Sequence, residues 1–246
     1  MPMKKVTLKT LFIIFTYFIS LCTYAKSSTY EKFDFPHISS DTPPLTVFDP
    51  SGSELNFIRT GKNTCDQYLF AKLIVPPHQG PPPHIHHWTD EWFWAPDGGI
   101  SLFMGHKEYP DLKKYPGHGA EKDDLQVLEM RPKELFYGKR FIIHGFINHT
   151  NQPKELYIVW TPDDKKSSIL NYFINAGGVK NKDHTAPDGL AKIKFVSTAT
   201  QYGINQSKDF WEYVNNIEYG HQPSHMENQK SRLISLLSNS GKNCSS

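Results

Sequence analysis

The sequence predicts an all-β core, folded as a sandwich or barrel, with a helical extension at its C-terminal end. Three observations lead there. Short apolar or alternating runs follow one another between residues 54 and 162, each stopped by turn-forming residues. No long helical pattern separates them, which removes the folds that alternate strand and helix. Beyond Pro162 the apolar spacing changes from two residues to three or four. Composition agrees: of 246 residues 38% are hydrophobic and 13% aromatic, with 18 prolines and 16 glycines to turn the chain. That apolar content, with charges of both signs, also argues against a disordered chain.

The first 25 residues are read apart from the fold. Lys4, Lys5 and Lys9 precede an apolar run from Leu11 to Leu21, and Thr23 and Ala25 are small residues suited to a cleavage site. The run is too short to span a bilayer comfortably, so residues 1–25 read as a secretory signal peptide, with an uncleaved anchor as the alternative. The mature chain is then expected to be extracytoplasmic, periplasmic or secreted, and free of the membrane. Leu21 ahead of Cys22 is too large for a lipoprotein signal. Cleavage would remove three of the 27 basic residues and none of the 25 acids, turning the formal charge of +2 slightly negative. No basic stripe remains, so nothing points to nucleic acid as a partner. Cys65 and Cys244 could pair in an oxidising compartment and tie the tail to the main body. Otherwise Cys65 is a buried thiol and Cys244 lies on a frayed end.

Residues 26–52, rich in Ser, Thr, Pro and Asp, read as an extended N-terminal arm. Residues 53–163 form the β domain. Its strands are expected within "ELNFIRT" (54–60), "DQYLFAKLIVPP" (66–77), "DEWFWAPDGG" (90–99), "ISLFMG" (100–105), "LQVLEM" (125–130), "KRFIIHGFIN" (139–148) and "ELYIVWTP" (155–162). The third and fourth are expected to form a hairpin on Gly98 and Gly99. Residues 105–124, polar and broken by proline and glycine, are a lid or a solvated excursion, with His106 and His118 near substrate only if a lid. Residues 164–246 form the extension, packed on the β domain. Helices are expected in "SSILNYFINAGG" (167–178), "DGLAKIKFVSTATQYG" (188–203), "SKDFWEYVNNIEYG" (207–220) and "HMENQKSRLISLLSNSG" (225–241). Asp188 is the N-cap candidate of the second, where Ile193 and Phe195 also leave a short strand open.

The stretch "HIHHWTDEWFW" (84–94) carries the chemistry. His84 and His86 stand two apart on a strand and therefore share a face, with Ile85 and His87 on the other. Two imidazoles on one face can reach one ion, and Glu91 can return beyond the bend at "WTD" as an oxygen ligand. Far along the chain His144 stands on a second strand, with Phe146 and Asn148 on its face. Three neutral imidazoles and a carboxylate suit a divalent transition metal: Fe, Mn, Ni, Cu or Zn. An HxH pair alone is weak, since such pairs also occur by accident on surface strands. Its combination with Glu91 and His144 is far more specific.

The same residues resemble the cupin superfamily. Its first motif runs G-x5-H-x-H-x3,4-E-x6-G. Four residues separate His86 from Glu91 and six separate Glu91 from Gly98, as that motif requires. Three residues separate Gly80 from His84 where the motif has five. The second motif, G-x5-P-x-G-x2-H-x3-N, is matched at its end by His144 and Asn148, while Lys139, Arg140 and Phe141 replace its P-x-G. The likeness covers about residues 54–162. It implies a cupin jelly-roll (double-stranded β-helix) barrel, here a single cupin domain followed by the helical C-terminal extension. It also implies one ion held by His84, His86, Glu91 and His144, and favours a homodimer. The spacing is similar to that of quercetinase-type dioxygenases and germin-like proteins. It implies a metal-dependent dioxygenase acting on a small oxygen-rich molecule, aromatic or flavonol-like, with Glu91 as ligand and general base. Decarboxylase, isomerase and non-catalytic binding roles are the alternatives. Phe146, Asn148 and Trp92 are candidates for the substrate pocket. Trp88, Trp92 and Trp94 are otherwise core or interface.

Overall fold

Two antiparallel sheets face each other in the computed structural model, which describes residues 30–39, 43–113, 125–177, 189–206, 229–238 and 244. The leader read in residues 1–25, the helix expected at 207–220 and most of the 105–124 loop lie outside these residues. Glu31–Ser246 form one unit, which holds every described strand. These strands are β1 (Leu45–Phe48), β2 (Glu54–Arg59), β3 (Leu69–Val75), β4 (His84–His86), β5 (Asp90–Trp94) and β6 (Ile100–Glu108). β7 (Gln126–Glu129), β8 (Leu135–Gly138), β9 (Ile142–Asn148), β10 (Lys154–Thr161) and β11 (Ile204–Gln206) complete them. The helices are α1 (Gly61–Thr64), α2 (Ile169–Asn175), α3 (Gly189–Ala199) and α4 (Lys230–Ser238), with a 3-10 turn at Thr200–Tyr202.

One sheet runs β1-β2-β3-β10-β5-β8 and the other β11-β4-β9-β6-β7. This order is that of a long hairpin rolled up on itself. Taking β3 to β10 as eight strands, the first pairs with the last, the second with the seventh, the third with the sixth, and the middle two with each other. Rolling then brings β10 beside β5 and β9 beside β6. That is a jelly-roll. The expected barrel corresponds to two separate ladders, with no strand pair hydrogen-bonded from one sheet to the other among the described residues.

The core fills the space between the sheets. β2 alternates partly buried and buried residues and turns Leu55 and Phe57 inward. β10 turns Leu156, Ile158 and Trp160 the same way. Strand β5 is buried along its whole length, because its outer face is covered too. There Trp92 and Trp94 pack in a second cluster with Phe33 of the N-terminal arm and with Leu233 and Leu237 of α4. A strand covered on both faces reads as a continuous apolar run, which is how "WFW" arises.

Four sequence expectations change. β5 and β6 do not form a hairpin: they lie in different sheets, and Gly98 and Gly99, with φ of +62° and +76°, carry the chain across. β1 lies inside the stretch read as an arm, paired with β2 from Leu45–Phe57 to Phe48–Glu54. The short β8 and β11 were not foreseen. In the extension, α2 and α4 lie within their expected segments, α3 prevails over the alternative strand, and β11 interrupts the helical run.

Candidate metal centre

The sheet registers assemble the site. On the five-stranded sheet His84 stands opposite both His144 and Gln206, so Gln206, His84 and His144 form one row across β11, β4 and β9. On the facing sheet Glu91 stands between Trp160 of β10 and Gly138 of β8. Residues directly opposite in an antiparallel pair share a face, so both rows point into the core. Residues 87–89 carry the chain from one sheet to the other, and this crossing brings His86 and Glu91 together.

The ligand atoms of His84, His86, Glu91 and His144 all lie within 4.8 Å of one another, and all four residues are buried. The His84 and His86 ring centres are 4.9 Å apart, those of His84 and His144 also 4.9 Å, and those of His86 and His144 5.2 Å. His86 Nε2 is 2.9 Å from Glu91 Oε1, and His144 Nε2 is 3.6 Å from Glu91 Oε2.

Each imidazole is fixed by its other nitrogen. His84 Nδ1 donates to the Pro82 carbonyl at 2.8 Å, and His144 Nδ1 to the Ile142 carbonyl at 2.9 Å. A carbonyl only accepts, so both rings carry their proton on Nδ1 and leave Nε2 as a lone pair. His86 Nδ1 meets the Thr89 hydroxyl at 2.7 Å. The Trp160 indole N–H donates to Glu91 Oε1. Such outer contacts orient ligands and set their basicity. His144 Nε2 is buried without a hydrogen-bond partner, an arrangement that a cation would satisfy. The residues present fit a transition-metal ion.

Electrostatics agree. Burial, reinforced by the neighbouring His144 and His86, pushes His84 down to about 3, so it offers a neutral ring at any physiological pH. Burial disfavours the Glu91 carboxylate, but the facing His86 and His144 rings outweigh it and hold Glu91 well below its ordinary value. Behind it, Asp90 faces outward and is clamped by Arg140 and by Arg232 of α4, each at 2.9 Å.

The site opens on a cavity of about 50 Å³ lined by Phe146, Trp160, Ile158, Tyr172, Phe195 and Gln206, among others. At roughly 10–15 Å³ for each water-sized group, it seats a few atoms beside an ion. A second cavity of about 180 Å³ lies against it and shares Asp49, Pro81, Phe195 and Gln206. The extension thus supplies part of the wall of the site.

His84, His86, Glu91 and His144 are brought together, and Phe146 lines the cavity with them. Trp92 and Asn148 do not line it. Trp92 sits on the far side of β5, against Tyr137 with ring centres 5.1 Å apart. Asn148 donates to the carbonyls of Val75, Pro76 and Gln152 and accepts from Thr150, so it braces the start and end of strands. Fully buried, it is also no acceptor for a sugar chain. Trp88 packs against Gly203, with Lys166 Nζ 4.2 Å from its ring centre. His87 and His149 point away from the site, towards Asn205 and Ser101. His106 is exposed, and His118 lies outside the described residues.

Sequence reasoning missed Trp160, Thr89, Tyr172 and Gln206. Trp160 had a signal, since it continues the alternation of Leu156 and Ile158. The others depend on tertiary placement. The offset of Gly80 is also explained: a Cβ there would stand 2.0 Å from the Phe146 carbonyl oxygen, so the glycine belongs where β9 passes. Pro81 to Pro83 then run straight to His84.

No family model matches the sequence, and no curated protein matches it. Solved structures similar to it include a recombinant oxalate oxidase in complex with glycolate. That likeness has 18% identity and a TM-score of 0.37, over 56% of this chain and 64% of that one. An RmlC-like cupin from Shewanella frigidimarina matches at 10% identity and a TM-score of 0.37, over 53% and 95%. KdgF from Halomonas sp. matches at 9% identity and a TM-score of 0.35, over 56% and 97%. These are distant likenesses, and the assignment of fold rests on the strand order itself. Eight strands in jelly-roll order give this chain a cupin-like jelly-roll fold, and His84, His86, Glu91 and His144, turned into its interior, form a buried group that could hold a metal ion.

Proposed function

We propose that the chain is an extracytoplasmic, metal-dependent dioxygenase acting on a small oxygen-rich organic molecule. The buried His84/His86/Glu91/His144 set, open on one side to an apolar cavity, carries this reading. His84, His86, Glu91 and His144 would hold an ion of the Fe, Mn, Ni, Cu or Zn group, which would supply Lewis-acid or redox chemistry. The chain's own residues do the rest. The three imidazoles are locked by their Nδ1 contacts and do not turn on binding. Glu91, held by the Trp160 N–H, keeps its other oxygen on the His144 side, where it can take a proton from an enol or phenol hydroxyl. Phe146, Ile158 and Phe173 keep bulk water from that proton.

The cavity of about 50 Å³ favours a small substrate over a flavonol, since pockets that enclose drug-sized molecules run to several hundred Å³. The Cys65–Cys244 disulfide, with its Cα atoms 5.1 Å apart, supports an oxidising compartment and hence export. Oxygen uptake by the metal-loaded chain tests the proposal, against flavonols, small enols and small hydroxy acids. Uptake matched by an oxygenated product supports it. Saturable binding with no uptake by any of them replaces it with a binding cupin.

A further inference from the structure

We propose that Gln206, which the extension adds beside the metal-ligand strand, selects the ligand of this site: a small carboxylate bearing a hydroxyl or N–H donor next to its ion-binding head. This rests on the metal reading of the site and adds the substrate class.

The orientation of Gln206 follows from a chain of hydrogen bonds. The Tyr172 hydroxyl donates to the Phe195 carbonyl at 3.1 Å, and a carbonyl cannot donate back. The Tyr172 oxygen is then left to accept, and it accepts from Gln206 Nε2 at 3.0 Å. Reversing the Gln206 amide would set two acceptors against each other unless Tyr172 abandoned Phe195. The Nε2 end is therefore fixed on Tyr172, and the Oε1 end is buried with no partner.

That orphan acceptor belongs to a residue opposite His84 in the β4–β11 register, on the cavity side of the sheet. Gln206 lines both the inner cavity and the outer one. A buried carbonyl oxygen without a donor is costly, and a ligand donor removes that cost. The charge of the head follows from the ligand set. A divalent ion with one carboxylate and neutral imidazoles leaves a positive centre in an apolar cavity, which a carboxylate neutralises. The inner volume limits the rest of the molecule to a few atoms.

Lactate and propionate test this, because they share the head and differ in the hydroxyl. Their affinities for the metal-loaded full chain are measured by calorimetry, alongside metal content. Lactate should bind the wild type more tightly. The ratio of the two affinities should fall about tenfold in Gln206→Leu, with metal content unchanged. Tyr172→Phe, which keeps the ring but frees the Gln206 amide to turn, should lower the same ratio by a smaller factor. Equal weakening of both acids in either variant overturns the role of Gln206. So does failure of either acid to bind a wild type that retains its metal. Loss of metal from the wild type faults the metal reading instead, and the ligand class falls with it.

Discussion

Each histidine of the centre commits one ring nitrogen to the protein and leaves the other for an ion. Removing a ligand should therefore act on metal affinity more than on fold. His86→Ala or His144→Ala should bind metal at least about 100-fold more weakly, read by competition with a chromogenic chelator. A full equivalent retained by both variants would contradict the site. Trp160→Phe keeps the ring but deletes the N–H that orients Glu91, and should weaken metal binding by about 10–100-fold in the same assay. Unchanged affinity would show that the indole only packs. His84 makes a pH prediction. Its ordinary value is 6.5 and its folded value about 3, because burial and two neighbouring imidazoles disfavour the charged ring. The folded value is the depressed one, so between the two the unfolded chain binds more protons. The ion-free protein should thus lose stability as pH falls from 6.5 towards about 3, and His84→Gln should flatten that slope in thermal unfolding. Parallel slopes for the two proteins would contradict the assignment.

Strands β2, β3, β9 and β10 were legible because alternation and turn residues are local signals. Their partners were not, since a turn at Gly98-Gly99 looks the same whether the chain returns in its own sheet or crosses to the other. Trp92, read as pocket or core, lies in the core for a related reason. Glu91 faces in, so Trp92 must face out, but Phe33 and α4 cover that outer face and leave the strand apolar on both sides. The three-residue β11 has almost no pattern of its own, and only its pairing with β4 gives it a role. The candidate ligands were readable because His84 and His86 share a strand face, Glu91 follows them at the spacing of the first motif, and His144 with Asn148 matches the end of the second. At the other end of the extension, α4 is held by Arg232 on Asp90, by Leu233 and Leu237 in the outer cluster, and by the disulfide six residues on. The Cys65–Cys244 bridge spans 179 residues of sequence. Replacing both cysteines by serine should lower unfolding stability by about 2–5 kcal/mol, measured in denaturant under two-state conditions. Equal midpoints for variant and wild type would show that α4 holds without it.

In the whole molecule, the jelly-roll supplies the ligands and the extension closes the space above them. Ile169, Tyr172, Phe173, Phe195, Ile204 and Gln206 all belong to the extension, which was read as packing on the β domain and not as lining for the site. The division of labour is physical: a rolled pair of sheets presents four candidate ligand atoms from three strands, while the extension, joined to the same sheet through β11, helps set the size and polarity of what reaches them. Everything proposed for function depends on an ion at that junction. The most direct test is elemental analysis of the mature protein, purified without a metal-binding tag. The four-ligand centre predicts about one transition-metal equivalent per chain, lost in His84→Ala. Less than about a tenth of an equivalent in the wild type, even after reconstitution with each candidate ion, would contradict it.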